Sequence, residues 1–162
     1  MTIPLRRFLH QKEPPAGVTP ERRYCWDLHV IPLRGRPSLL AVHCHSRYVF
    51  TLFDLTGPEW EDLAGTFLDG LGQSLEHAGS AEEAVKGYLL RAGAAELTKT
   101  HGRREVAFLN RAWEDVMAAD YALDPAGRAQ PLLDHAVNGK PSRCAGYEGL
   151  APAIQRMRLS LG

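Results

Sequence analysis

Residues 24–55 read YCWDLHVIPLRGRPSLLAVHCHSRYVFTLFDL, and this stretch sets the architecture. Residues 24–33 are rich in aromatic and β-branched side chains, which suit a pleated surface and predict a strand. Arg34-Gly35-Arg36-Pro37 supplies turn chemistry. Residues 38–45 predict a second strand, so the two form an antiparallel hairpin. Residues 47–55 form a third apolar segment. Tyr48, Val49, Phe50, Thr51 and Phe53 favour a strand there over a helix.

Helices dominate the chain after Leu55. Thr56 and Glu59 have capping-box spacing, and Pro58 sits where a missing N–H costs nothing. Trp60, Leu63, Phe67, Leu71 and Leu75 recur at three- and four-residue steps, the stripe of one amphipathic helix that Gly79 ends. Ser80-Ala81-Glu82-Glu83 reads as a second capping box. It opens a shorter helix with Ala84, Val85, Tyr88 and Leu89 inward, stopped by Gly93. A short strand is expected over 95–100. A helix then runs from Arg103 to about Ala119, with Val106, Leu109, Trp113, Val116 and Met117 as its buried stripe. Asp124-Pro125 carries a cap signal that Pro131 soon interrupts. Residues 132–137 predict one or two helical turns. A closing helix over 151–161 turns Ile154, Met157 and Leu161 inward. On the other side of the hairpin, residues 3–10 predict a short helix. Residues 11–21 and 138–150 read as loops.

Strands first and helices afterwards give an α+β class: a small, mostly antiparallel sheet with helices on one face. The expected sheet holds the hairpin, the third strand and the short later one. The 162 residues amount to one globular domain, 1–162, long enough to bury a core.

Composition narrows function mainly by exclusion. Net charge is zero, so the chain lacks an overall basic footprint for nucleic acid. Charge is nevertheless uneven, with a net of +5 over residues 1–50 and −6 over 51–100. Arg22, Arg23, Arg34, Arg36 and Arg47 border the hairpin and are candidates for weak, salt-sensitive phosphate contacts. Three cysteines, none in a C-x-x-C pair, point to a reduced cytoplasmic protein. No apolar run approaches the ~20 residues that span a bilayer, so no membrane partner is expected. G-x-S-x-G, P-loop and G-x-G-x-x-G patterns are all absent.

Two groups of residues can carry chemistry. His43 and His45 share a strand face and are weak candidates for a metal half-site, for which His29 on the neighbouring strand is the candidate third ligand. Register decides. With Leu33 opposite Ser38 the triad fails, and a one-residue slip brings His29 beside His43. No closing Cys pair or H-E-x-x-H supports zinc, so no metal and no other cofactor is expected. Cys25 and Cys144 read as buried structural thiols.

The second group is residues 98–110, TKTHGRREVAFLN, which packs Lys99, Thr100, His101, Arg103 and Asn110 around a chain reversal. Arg103 and Asn110 lie seven residues apart and share one face of the helix. They sit at the margin of the apolar stripe, where polar residues can line a cleft between helix and sheet. Arg103 in a first turn opposes the helix dipole, which favours a tertiary partner or an anion. Arg103 is therefore expected to be at least partly buried.

The T-K-T-x-x-R-x6-N pattern at Thr98, Lys99, Thr100, Arg103 and Asn110 resembles a family of small bacterial proteins catalogued as a domain of unknown function. Trp26, the run Leu39-Leu40-Ala41-Val42-His43, the apolar segment to Leu55 and Arg6-Arg7-Phe8-Leu9 share the resemblance, which covers roughly residues 5–117. His29 and His43 stand where the family usually has Asn. The resemblance implies that Lys99, Thr100, Arg103 and Asn110 form a shared polar feature, and it implies no activity.

The residues support two readings. In the first, the chain is a non-enzymatic binding or regulatory module whose cleft, with Lys99, Thr100, His101, Arg103 and Asn110, takes a protein partner or a phosphate-bearing ligand. Accessory proteins of toxin–antitoxin type have this size, an analogy only. In the second, it is a small phosphoesterase or nuclease-like enzyme. His29 or His43 would be its acid or base, with Lys99 and Arg103 stabilising negative charge. Oligomeric state is left open.

Overall fold

The computed structural model of the chain describes residues 1–16 and 21–162. The hairpin forms as its sequence requires. β1 (Trp26–Leu33) pairs antiparallel with β2 (Arg36–His43), and β2 with β3 (Val49–Leu52), in the order β1-β2-β3. Arg34 and Gly35, at φ 45° and 74°, make a two-residue turn of the kind that matches strand twist. The tight turn sets the register: Leu33 lies opposite Arg36, His29 opposite Leu40, and Trp26 opposite His43.

Strand alternation then divides the sheet residues between two cores. Leu28, Leu39, Ala41, Phe50 and Leu52 face one side. They pack under α1 (Ile3–Phe8), α3 (Leu63–His77), α4 (Glu82–Ala92) and α7 (Ala153–Leu161). Ile31, Leu33, Leu40, Val42, Val49 and Phe53 face the other side, under α5 (Arg103–Ala118) and α6 (Pro131–Asn138). The α+β class and the antiparallel sheet stand, but helices cover both faces rather than one. The reason lies in the strands themselves, where nearly every position of β2 and β3 is buried. Near-continuous apolar strands need cover on both sides.

Some elements differ from expectation. The stripe Trp60–Leu63–Phe67–Leu71–Leu75 is buried throughout. Its helix is broken, however, into α2 (Gly57–Glu61) and α3 at Asp62, which leaves helical geometry at ψ 61° and caps α3 through Gly65 N. The Thr56–Glu59 capping box forms. The Ser80 box does not: Ala81 is the cap of α4, and the Ser80 hydroxyl is buried without a partner among the described residues. Residues 95–100 form no strand and pair with no described strand. Asp124-Pro125 opens a turn in which the Asp124 carboxylate accepts from Ala126 N, and the helix begins at Pro131 instead. Within the loop expected over 138–150, Asn138 ends α6, and β4 (Pro141–Ser142) pairs with β5 (Ala151–Pro152). Residues 17–20 of the loop expected over 11–21 lie outside the described residues. No described helix is long and apolar enough to cross a membrane.

Candidate functional site

Residues 95–100 are tied to the N-terminal part of the chain. The Met1 amine donates to Thr98 O at 2.6 Å, and Lys99 N donates to Pro15 O at 3.1 Å. Gly102 then turns the chain into α5 with φ 133°, a conformation that disfavours a side chain. This reversal delivers His101 to the end of the hairpin. Its backbone N–H donates to Asp27 Oδ1 at 3.2 Å, and its ring Nδ1 lies 2.9 Å from the same oxygen. Cys44, just past the end of β2, donates from Sγ to Asp27 Oδ2 at 3.4 Å and lies 3.5 Å from His101 Nδ1. Asp27 and Cys44 are buried, and His101 is half-buried.

The electrostatics reflect that packing. The hydrogen bond to Asp27, with help from the Cys25 and Cys44 thiols, holds the His101 imidazolium and raises its pKa to about 12. Burial pushes the Cys44 thiol up to about 11, so it stays protonated at neutral pH. The set does not work as a Cys-His-Asp relay. A relay needs the nucleophile on one ring nitrogen and the carboxylate on the other. Here Cys44 and Asp27 both address Nδ1.

Two cavities meet at this point. One, of about 360 Å³, is lined by Arg22, Cys25, Cys44, Lys99, Thr100 and His101, among others. The other, of about 590 Å³, has mainly apolar walls that include Trp26, Phe67, Leu71, Tyr88 and Leu97. Both are bordered by Ala16, Cys25 and His101.

Of the residues singled out in the sequence, Lys99, Thr100 and His101 therefore share a cavity wall. Arg103 and Asn110 do not join them: both are exposed, contrary to the expected burial. The buried stripe of α5 is Glu105–Leu109–Ala112–Val116, which turns Arg103, Asn110 and Met117 outward. Glu105 is the cause. Its carboxylate is buried beside the Arg22 guanidinium and 4.0 Å from that of Arg47, which also stacks 3.5 Å from the Phe108 ring centre. A charged residue at a core position defeats a reading based on apolar spacing.

The histidines are elsewhere. His29 lies on the α5 side of the sheet, with Nδ1 2.7 Å from Thr2 Oγ1 and its ring edge-on to Trp113. His43 faces the opposite side, fully buried. Ser46 Oγ lies 2.7 Å from one ring nitrogen, and Arg23 O 2.8 Å from the other. Burial lowers its pKa to about 3. The register thus keeps His29 from His43. Both His43 nitrogens are hydrogen-bonded, and the His45 ring lies against Tyr147, 5.2 Å between ring centres. Among the hairpin arginines, Arg22 and Arg47 are engaged with Glu105 and Arg34 with Asp120.

Sequence reading missed Asp27, Cys44 and Glu105 as site residues, and singled out Arg22 only among the hairpin arginines. The first two had a signal. Once Asp27 pairs with Val42, Cys44 two residues on falls near the same sheet face.

The chain belongs to the family described as Domain of unknown function (DUF6933), which matches residues 1–151. No curated protein and no solved structure matches it.

Proposed function

We propose that the chain is a binding module for a small phosphate-bearing ligand with an apolar body. One observation carries this reading: a polar cavity with Arg22, Lys99 and Thr100 meets a larger, mainly apolar one at His101. Ligand pockets commonly combine apolar walls with a few convergent polar groups. Lys99 pairs with Glu13 in the free chain, but that pair is about half exposed on both sides. Exposed pairs are weak, so a phosphate can displace Glu13 at little cost. The enzymatic reading loses its acid and base, since His29 and His43 border neither cavity. Cavities of this size favour a small ligand over nucleic acid.

Thermal-shift and calorimetric titrations with octyl phosphate, octanol and inorganic phosphate test this. Octyl phosphate should raise the melting temperature most, and Lys99→Gln should reduce its effect to that of octanol. Equal responses of the parent to octyl phosphate and octanol would remove the phosphate from the reading. No response to either would remove the pocket.

A further inference from the structure

We propose that Asp27, Cys44 and His101 form a three-ligand site for a divalent cation of the zinc class, bordering the smaller cavity. Three donors from three separate parts of the chain converge there: an oxygen of β1, a sulfur past β2 and a nitrogen before α5. They lie within 4.8 Å of one another. Two of them approach the same ring nitrogen, His101 Nδ1. That is the arrangement of ligands around a centre, not of groups in a chain.

The spacings fit. With ordinary zinc–ligand bond lengths, adjacent donors of a tetrahedron are about 3.4–3.6 Å apart. Cys44 Sγ lies 3.4 Å from Asp27 Oδ2 and 3.5 Å from His101 Nδ1. His101 Nδ1 lies 2.9 Å from the other carboxylate oxygen, Oδ1, as a hydrogen bond requires, and a cation would replace that bond. A thiolate, an imidazole and a carboxylate together suit zinc rather than magnesium or calcium. The backbone amide of His101 already holds the Asp27 carboxylate by a hydrogen bond to Oδ1, as outer-shell donors commonly do.

The exchange balances. Before binding, the site holds an imidazolium, a carboxylate and a thiol, with no net charge. Cation entry breaks the Cys44 S–H and His101 Nδ1–H bonds and releases two protons. The product, a dication with one thiolate, one carboxylate and a neutral imidazole, also has no net charge. No buried charge is added. Cys44 and His101 line the smaller cavity together with Arg22, Lys99 and Thr100, so a water or an anionic ligand held there can complete the tetrahedron.

The test uses the whole chain, stripped with a chelator and titrated with cobalt(II) or zinc(II) alone. No phosphate ligand is added, so its failure would leave the ligand reading untouched. One equivalent of cobalt should bind, with tetrahedral d–d bands and a thiolate charge-transfer band. Calorimetry in two buffers of different ionisation enthalpy should show proton release on binding. Cys44→Ser should abolish the charge-transfer band, and Cys144→Ser should keep it. His101→Gln should weaken zinc binding by more than about 100-fold, beyond the 10–100-fold that loss of an outer-shell partner costs. X-ray absorption of the zinc-loaded parent needs no variant, and should show one sulfur at about 2.3 Å among nitrogen and oxygen neighbours. The assignment is overturned by an unchanged cobalt spectrum in Cys44→Ser, by loss of the band in Cys25→Ser, or by a zinc shell with no sulfur or more than one.

Discussion

Glu105 shows how one side chain sets the orientation of a helix. It stands in the first turn of α5, where a carboxylate suits the helix dipole, yet it is only 5% exposed. It is held there by Arg22, half exposed, and by Arg47, whose side chain is 12% exposed. Removing the carboxylate leaves Arg47 partly buried with its charge uncompensated. Glu105→Gln should therefore cost about 1–3 kcal/mol, the range for losing a buried, charge-assisted partner. Arg103→Ala, two residues away and exposed, should stay within about 0.5 kcal/mol of the parent. Urea unfolding of both variants checks the pair. Equal effects would mean that α5 is not oriented by Glu105. The contrast also explains what the sequence hid here. Arg103 and Glu105 are both charged neighbours of a helix start, and only tertiary packing says which one is buried. The T-K-T half of the motif was legible as a cavity wall because Gly102 marks the reversal. The Arg and Asn half was not.

Among the elements, β3 has a free edge that α6 covers. Asn138 accepts from Val49 N at 2.8 Å and donates to Val49 O at 2.6 Å, replacing a strand neighbour. Asp134 accepts from Thr51 N and Thr51 Oγ1 at 3.0 and 2.9 Å. Two side chains on one helix face thus blunt an edge otherwise open to another chain. Asp134 is fully buried, and burial raises its pKa well above the usual carboxylate value of 3.8. A carboxyl raised on folding stabilises the fold fully below its unfolded pKa, and the contribution fades as pH rises through the folded one. Asp134→Asn keeps the acceptor oxygen and cannot ionise. It should match the parent near pH 4 and become the more stable chain as pH rises toward 8, when chemical unfolding is followed at both values. A parent whose advantage grows with pH would show that Asp134 is ionised and needed so. Periodicity had revealed the strands and the stripe of α3, because each repeats one physical demand along a few consecutive residues. It could not reveal edge capping, which joins Asp134 to Thr51 across 83 residues. The break at Asp62 was also hidden, since the apolar stripe continues unbroken through it.

For the whole molecule, the question is whether the two cores are complete without the last helix. The family match ends at residue 151, and α7 begins at Ala153. Yet Met157 and Leu161 are buried among the residues of the first core. Arg156 is 1% exposed, and its hydrogen-bond partners among the described residues are all carbonyl or hydroxyl oxygens. Its Nε donates to Ser46 O at 2.8 Å, and its Nη1 to Ser142 O at 2.9 Å and Ala151 O at 2.5 Å. Its Nη2 donates to Ser142 Oγ at 3.0 Å. One guanidinium therefore joins the turn after β2 to both strands of the small β4–β5 ribbon. No local pattern announces this, because the acceptors come from three distant places. Deleting residues 153–162 removes the guanidinium together with two large core side chains. Loss of each apolar side chain costs about 2–5 kcal/mol, against a total stability of about 5–15 kcal/mol. The chain 1–152 should accordingly lose cooperative thermal unfolding, as followed by circular dichroism. Arg156→Ala alone, which leaves Met157 and Leu161 in place, should keep a cooperative transition at a lower temperature. If 1–152 melts cooperatively near the parent, the first core is closed without α7, and Met157 and Leu161 only lie on it.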